Sequence, residues 1–154
     1  MDRTKPLKRS KYLVDISRDH HHGLLFCWKI REGFKNDIAV TRIKQYADWF
    51  WQVHLIDHFK IEEHYIFPIL GNEHELVKRA LSEHRRLTRL FDEEEDIWRS
   101  LNQIEEELDN HIRFEERTLF NEIQRVATDD QLKTAAQHHQ DTAVVDTWGD
   151  KFWE

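Results

Sequence analysis

Apolar residues along this chain recur at intervals of three and four, in four separate stretches. In the first, from about Ser10 to Phe34, the positions Leu13, Ile16, His20, Gly23, Cys27, Ile30 and Phe34 alternate between the two spacings. That rhythm places them on one face of a helix. The second stretch runs from about Ile38 to Phe67, with an inward stripe through Ala47, Trp51, His54, His58, Ile61, Glu62 and Tyr65. Pro68 and the pair Gly71-Asn72 close it, because proline cannot continue a helix and glycine ends one readily. The third begins near Glu73 and carries Val77, Leu81, His84, Thr88 and Phe91; the fourth carries Ile104, Leu108, His111, Glu115 and Leu119. No Gly or Pro separates these last two, yet a single helix from Glu73 to Val126 would far exceed the usual length of about 8–20 residues. A break is therefore expected at Ser100-Leu101-Asn102-Gln103, which has the form of a capping box. Beyond Val126 the pattern weakens. Thr128-Asp129-Asp130 is suited to cap a short helix through Gln137, and the aromatics Trp148, Phe152 and Trp153 of the tail are expected to fold back onto the other helices or to meet a partner chain.

Each stripe is interrupted by a histidine: His20, His58, His84 and His111. In an up-down bundle, residues at one depth lie equally far from the turn joining their helices. The midpoints of successive histidines fall at residue 39, at residue 71 and between residues 97 and 98, close to the turns expected from Asn36-Asp37, Gly71 and Ser100. Scattered surface histidines have no cause to obey that rule. Two of the four also open the same phrase, His58-Phe59-Lys60-Ile61-Glu62-Glu63 and His111-Ile112-Arg113-Phe114-Glu115-Glu116. Positions four apart share a helical face, so each copy directs an imidazole and a carboxylate at one partner. An unpaired polar group in an apolar stripe costs roughly 1–3 kcal/mol, and buried Glu is rarer still without a partner. The candidate ligands are therefore His20, His58, Glu62, His84, His111 and Glu115. Four His and two Glu across four helices suit a dinuclear centre of a borderline-hard metal. A structural zinc site is disfavoured by the carboxylate share and the lack of Cys ligands.

Neighbouring residues fall into place around that set. His21 lies about 100° around the helix from His20 and is expected to support the ligands or be exposed; His22 is expected to be exposed. Gly23, Cys27 and Thr88 leave space beside the centre. His54 is expected to be a core or supporting residue, with a place along an access channel as the alternative. Glu63 and Glu116 suit either hydrogen bonds to ligand imidazoles or plain solvated surface. His64, His74, His138 and His139 are expected on the surface, Cys27 as a buried filler, Tyr65 and Trp51 as core, and the run from Asp92 to Asp96 as a solvated helix end and turn.

Composition narrows the function classes. The 154 residues suit one domain, with a core over about residues 10–126 and a short helix and tail over 127–154. Only 4 Gly and 2 Pro, with 34% charged residues, favour an all-α fold. A net charge of −7 argues against nucleic acid as a partner. Basic Arg3, Lys5, Lys8, Arg9 and Lys11 precede no apolar segment, so a secretory signal is not expected. No apolar run is long enough to span a membrane, and the single cysteine, Cys27, forms no intrachain disulfide. A cytoplasmic protein is the default expectation.

From His20 to about Phe120 the chain resembles the hemerythrin-like, or HHE cation-binding, family. The resemblance rests on the dipeptides Asp19-His20 and Glu83-His84, the two H-x-x-x-E-E phrases and the run from His58 to Phe67-Pro68. It implies an antiparallel four-helix bundle around two iron ions, oxo- and carboxylate-bridged, with the four histidines as terminal ligands and Glu62 and Glu115 as bridges. Oxygen-carrying members have a second His four positions from the first on the third helix, where this chain has Thr88 and Ala80. They also carry H-x-x-x-x-D on the last helix, where His111 is followed by Glu115 and Glu116. The pattern is closer to the branch that includes iron–sulfur-repair and nitric-oxide-stress proteins, whose cysteine-bearing N-terminal domain is not found in these 154 residues. The expectation is a di-iron protein, monomer or homodimer, that binds or senses a diatomic ligand or peroxide. The alternatives are a di-iron peroxidase, oxidase or NO reductase, or an iron donor in cluster repair.

Overall fold

A computed structural model of the chain describes residues 8–139 and 147–154. Every regular element among them is helical. Helix α1 (Val14–Lys35) ends at Asn36, and Asp37 turns the chain with a left-handed φ of 56°, a conformation that Asp tolerates better than most residues. A second rod follows as α2 (Val40–Phe50), a five-residue π turn (Trp51–Leu55), α3 (Ile56–Ile61), another π turn (Glu62–Ile66) and a 3₁₀ turn (Phe67–Ile69). Gly71, at φ 91°, reverses the chain as the Gly71-Asn72 signal predicts. The His74 ring nitrogen accepts from Leu76 N–H and so caps α4 (Glu75–Asp92). The last rod comprises α5 (Ile97–Phe114), a π turn (Glu115–Leu119) and α6 (Phe120–Val126). Thr128 and Gln131 form a capping box that starts α7 (Asp129–Gln137).

The break between the third and fourth stretches falls earlier than Ser100-Leu101-Asn102-Gln103. Helix α4 stops at Asp92 and Asp96 caps α5, its carboxylate accepting from Arg99 N–H. Ser100 is buried inside α5 and donates to the Ile97 carbonyl. An aspartate N-cap is as favourable as a serine one, and the acidic run supplied it.

Helix α1 packs chiefly on α5, α5 also meets α4 and α2, and α7 lies against the Glu62–Ile66 turn. Two apolar clusters result. One gathers Phe26, Ile30, Tyr46, Phe50, Phe91 and Leu101; the other gathers Leu13, Ile16, Ile66, Phe67, Leu119 and Phe120. On α4 the inward face is Val77, Ala80, His84, Leu87 and Leu90. Thr88 is exposed, its hydroxyl donating to the His84 carbonyl, so it leaves no space near the centre. The tail returns to the helices as expected: Phe152 is buried, Trp148 and Trp153 lie against Tyr46, and Arg42 pairs with Asp150 at 2.7 Å. Its residues 141–146 lie outside the described residues, as do Arg3 and Lys5 of the basic N-terminus. Arg9 is fastened to Glu116 at 2.9 Å. Among the described residues no helix is long and apolar enough to cross a membrane.

Candidate metal centre

Between the two apolar clusters lies a layer of buried polar groups. His20 on α1, His58 on α3, His84 on α4 and His111 on α5 present their Nε2 atoms inward; Glu62 and Glu115 open the two downstream π turns. All six are buried, and both glutamates are fully so. They form two overlapping sets, each with ligand atoms within 4.8 Å of one another: His20, His58, Glu62 and Glu115, and Glu62, His84, His111 and Glu115. The glutamates belong to both. Glu62 turns Oε2 to His58 at 3.3 Å and to His20 at 3.6 Å, and Oε1 to His84 at 3.2 Å. Glu115 Oε1 lies 3.1 Å from His20 and 3.2 Å from His111. The Nε2 atoms of His20 and His58 are 3.2 Å apart. Ligands bound at right angles to one ion at about 2.1 Å stand about 3 Å apart, so this is the spacing of neighbouring ligands.

The hydrogen bonding supports a cation there. Both oxygens of Glu62, Oε2 of Glu115, and Nε2 of His84 and His111 are shut off from solvent without a hydrogen-bond partner. Leaving such atoms unpaired costs about 1–3 kcal/mol each, more when charged. A positive ion between them removes that cost, so the residues present fit a bound metal.

The outer nitrogens are satisfied in a pattern of their own. His58 Nδ1 meets Asp19 at 2.9 Å, and His84 Nδ1 meets Glu63 at 2.7 Å. His111 Nδ1 meets Glu83 at 2.7 Å, and His20 Nδ1 meets Glu116 at 2.7 Å. Asp19 on α1 thus serves the rod of α3, that rod's Glu63 serves α4, Glu83 of α4 serves α5, and Glu116 after α5 serves α1. The ring closes. Each Nδ1–H donates to a carboxylate, which fixes the tautomer and frees Nε2 for a metal. Each carboxylate is also the sequence neighbour of a ligand.

Electrostatics follow the same lines. Burial disfavours a charged imidazole, but the surrounding carboxylates of Glu115, Glu116 and Glu62 hold His20 well above 6.5. Burial is likewise outweighed at His58, raised to about 9 by the Glu62 charge and the Asp19 bond, and at His111, raised to about 10 by Glu115 and Glu83. Glu62 stays well below 4.5 despite burial, held by His58, His20 and His84. Asp19 lies below its usual range against its own burial, because His139 and His58 both bond to it. His54 goes the other way, down to about 4, first through burial and then through the charge of His58. Burial pushes the Cys27 thiol up, which suits an inert filler.

All six expected ligand residues therefore meet, and Glu63 and Glu116 take the supporting alternative rather than the solvated one. Asp19 and Glu83 were legible only as dipeptide partners of His20 and His84, not as supports for other helices. His139, expected on the surface, reaches both oxygens of Asp19 at 3.0 Å, and nothing in its sequence surroundings signals this. His138 stacks on Tyr65, with ring centroids 4.0 Å apart. His21 is exposed, whereas His22 is half-buried with its ring 5.9 Å from that of His54. No family model, curated protein or solved structure matches the chain.

Proposed function

We propose that this chain is a hemerythrin-like, non-haem di-iron protein of the cytoplasm that binds or senses a small ligand or oxidant: O2, NO or peroxide. The observation that carries the reading is the sharing of Glu62 and Glu115 between two four-atom ligand sets, each completed by two histidines. A single-ion structural site has no use for two fully buried carboxylates held in common. Imidazole and carboxylate together suit iron, and carboxylates with histidines on facing helices are how helix bundles hold di-iron and di-manganese pairs. The antiparallel up-down arrangement of four helices belongs to the same proposal. It is supported by the short connections 36–39, 70–74 and 93–96, of the length that joins antiparallel neighbours.

His20 and His58 would hold one ion, His84 and His111 the other, with Glu62 and Glu115 between them. The pair would supply the redox change and the open positions for a small molecule. The chain orients the imidazoles through the carboxylate ring, places Phe59 against the His84 ring with centroids 3.8 Å apart, and walls the centre from water with the two apolar clusters. The test is metal analysis and absorption spectroscopy of anaerobically purified protein before and after air. We expect two iron ions per chain and near-ultraviolet bands that appear on oxidation. A colourless protein holding only zinc would sink the reading.

A further inference from the structure

We propose that the ion between His20 and His58 is the exchangeable one of the pair, and that the segment ahead of α1 latches it in place through Arg9. This rests on the di-metal reading above. Arg9 reaches across to the last ligand-bearing rod. Its Nη2 donates to Glu116 Oε2 at 2.9 Å and to the Glu116 carbonyl at 3.0 Å, and its Nη1 donates to Gln124 Oε1 at 3.3 Å. Ser10 N–H donates to the same Gln124 oxygen at 2.8 Å, and Gln124 Nε2 returns a bond to the Lys8 carbonyl at 3.1 Å. Glu116 divides its two oxygens: Oε2 takes Arg9, and Oε1 takes His20 Nδ1–H at 2.7 Å. The guanidinium also lies over Phe120, 5.6 Å from the ring centre, and that ring centre stands 5.3 Å from that of His20. Two routes therefore connect Arg9 to one ligand.

The four supporting carboxylates are not braced alike. Those behind His20 and His58 are held from outside the four ligand-bearing rods: Glu116 by Arg9, before α1, and Asp19 by His139, after α7. Those behind His84 and His111 are not. Glu83 takes Arg79 of its own helix, whose side chain is 55% exposed against 18% for Arg9, and so exposed a pair holds little. Glu63 has no bond beyond His84 among the described residues. Segments outside the packed helices open at lower cost than the helices themselves. When Arg9 lifts away, Glu116 loses its charge-assisted partner, and water competes for the carboxylate that oriented His20. The ion between His20 and His58 is then held by a loosened imidazole, while the supports of the other ion are untouched. The result is a centre that gives up one ion in response to its N-terminal segment and keeps the other.

The test mixes reduced, iron-loaded protein anaerobically with an excess of a coloured ferrous-ion chelator and follows iron loss by absorption. Wild-type protein should lose its iron in two phases of about one ion each. Arg9→Ala should speed the fast phase about fivefold to tenfold, as for one lost hydrogen bond, and leave the slow phase within about twofold. Arg9→Lys, which keeps a cation beside Glu116 without the forked geometry, should recover part of the difference. Arg79→Ala should act on the slow phase only, by less than about fivefold. His84→Ala, whose remaining ion lies between His20 and His58, should show the fast phase alone; an ion that leaves it at the slow rate would overturn the assignment of the exchangeable position. Equal acceleration of both phases in Arg9→Ala would mean that Arg9 only holds the fold, and an unchanged fast phase would mean that it holds no ion; either overturns the latch. So would wild-type protein that yields both ions in a single phase. Wild-type protein that binds no metal would overturn the di-iron reading itself, and this inference with it.

Discussion

The two H-x-x-x-E-E phrases behave alike downstream of their glutamates and differently upstream of their histidines. After Glu62 the chain opens into a π turn in which Phe67 N–H bonds to the Glu62 carbonyl; after Glu115 it does the same, with Phe120 N–H on the Glu115 carbonyl. Both turns bury the same kind of pair, Ile66-Phe67 and Leu119-Phe120, beneath the centre. Upstream the copies part. Three residues before His111, regular α5 buries Leu108, while Glu107, four before, is half-buried and pairs with Arg86. Four residues before His58 a third π turn, Trp51–Leu55, carries His54 inside. Single π turns cluster at functional sites. The common half of each phrase builds the ligand set; the half that differs sets one polar wall and one apolar wall beside it.

The equivalence of the copies is broken most severely by removing either shared glutamate. Each serves both ligand sets. Glu62→Ala and Glu115→Ala should therefore each weaken metal binding by more than about 100-fold, beyond the loss seen when a supporting residue is removed. Neither variant should retain two ions per chain after dialysis. His84→Ala touches one set only and should retain about one ion. If Glu62→Ala kept two while Glu115→Ala lost both, the carboxylates would not be shared and the symmetry of the phrases would be formal only.

A pH titration sharpens the comparison from the electrostatic side. In metal-free protein His58 and His111 are raised from 6.5 to about 9 and about 10. Their stabilising contribution is fully present below 6.5 and is lost as pH rises through those values. The metal-free protein should thus become less stable by a few kcal/mol between about pH 6.5 and 10, read as a falling denaturation midpoint. The metal-loaded protein should run the opposite way, because the same protons compete with the ions for nitrogen and carboxylate. Parallel pH trends in the two forms would mean that metal does not occupy the imidazole nitrogens.

The buried His and Glu positions were legible because burying histidine and glutamate in an apolar stripe leaves a trace in periodicity. The π turns left none: local propensity does not distinguish a π turn from the α-helix around it, and only the packing beneath Glu62 and Glu115 selects it. On regular α4 the difficulty is another one: positions three and four after His84 both lie near its face, and packing buries Leu87 while Thr88 faces solvent. The third turn was misplaced for a related reason. Both Ser100 and Asp96 are good caps, and burial of Ser100 within α5 decided between them. The carboxylate ring was half visible, since Glu63 and Glu116 stand in the repeated phrase. Asp19 and Glu83 act across helices, and the pairing of one helix with the next is a tertiary fact. His139 reaches Asp19 over 120 residues of chain, a distance at which periodicity carries no information.

The ring of supports offers the finest comparison, because its members differ in shelter. Asp19, on the His58 side, is 4% exposed and bonds both His58 and His139. Glu83, on the His111 side, is 31% exposed and shares its carboxylate with Arg79 at 3.0 Å. Truncating Asp19 strands the His58 N–H where water has little access, so the ring can turn and the ligand set loosens. Truncating Glu83 opens a path by which water can accept the His111 N–H in its place. Asp19→Ala should therefore weaken metal binding by about 10–100-fold and Glu83→Ala by less than about tenfold, measured by competition with a coloured chelator. His139→Ala, which leaves Asp19 and His58 paired, should cost less than either. The reverse order would mean that access of water to the stranded imidazole does not govern how firmly a ligand is supported.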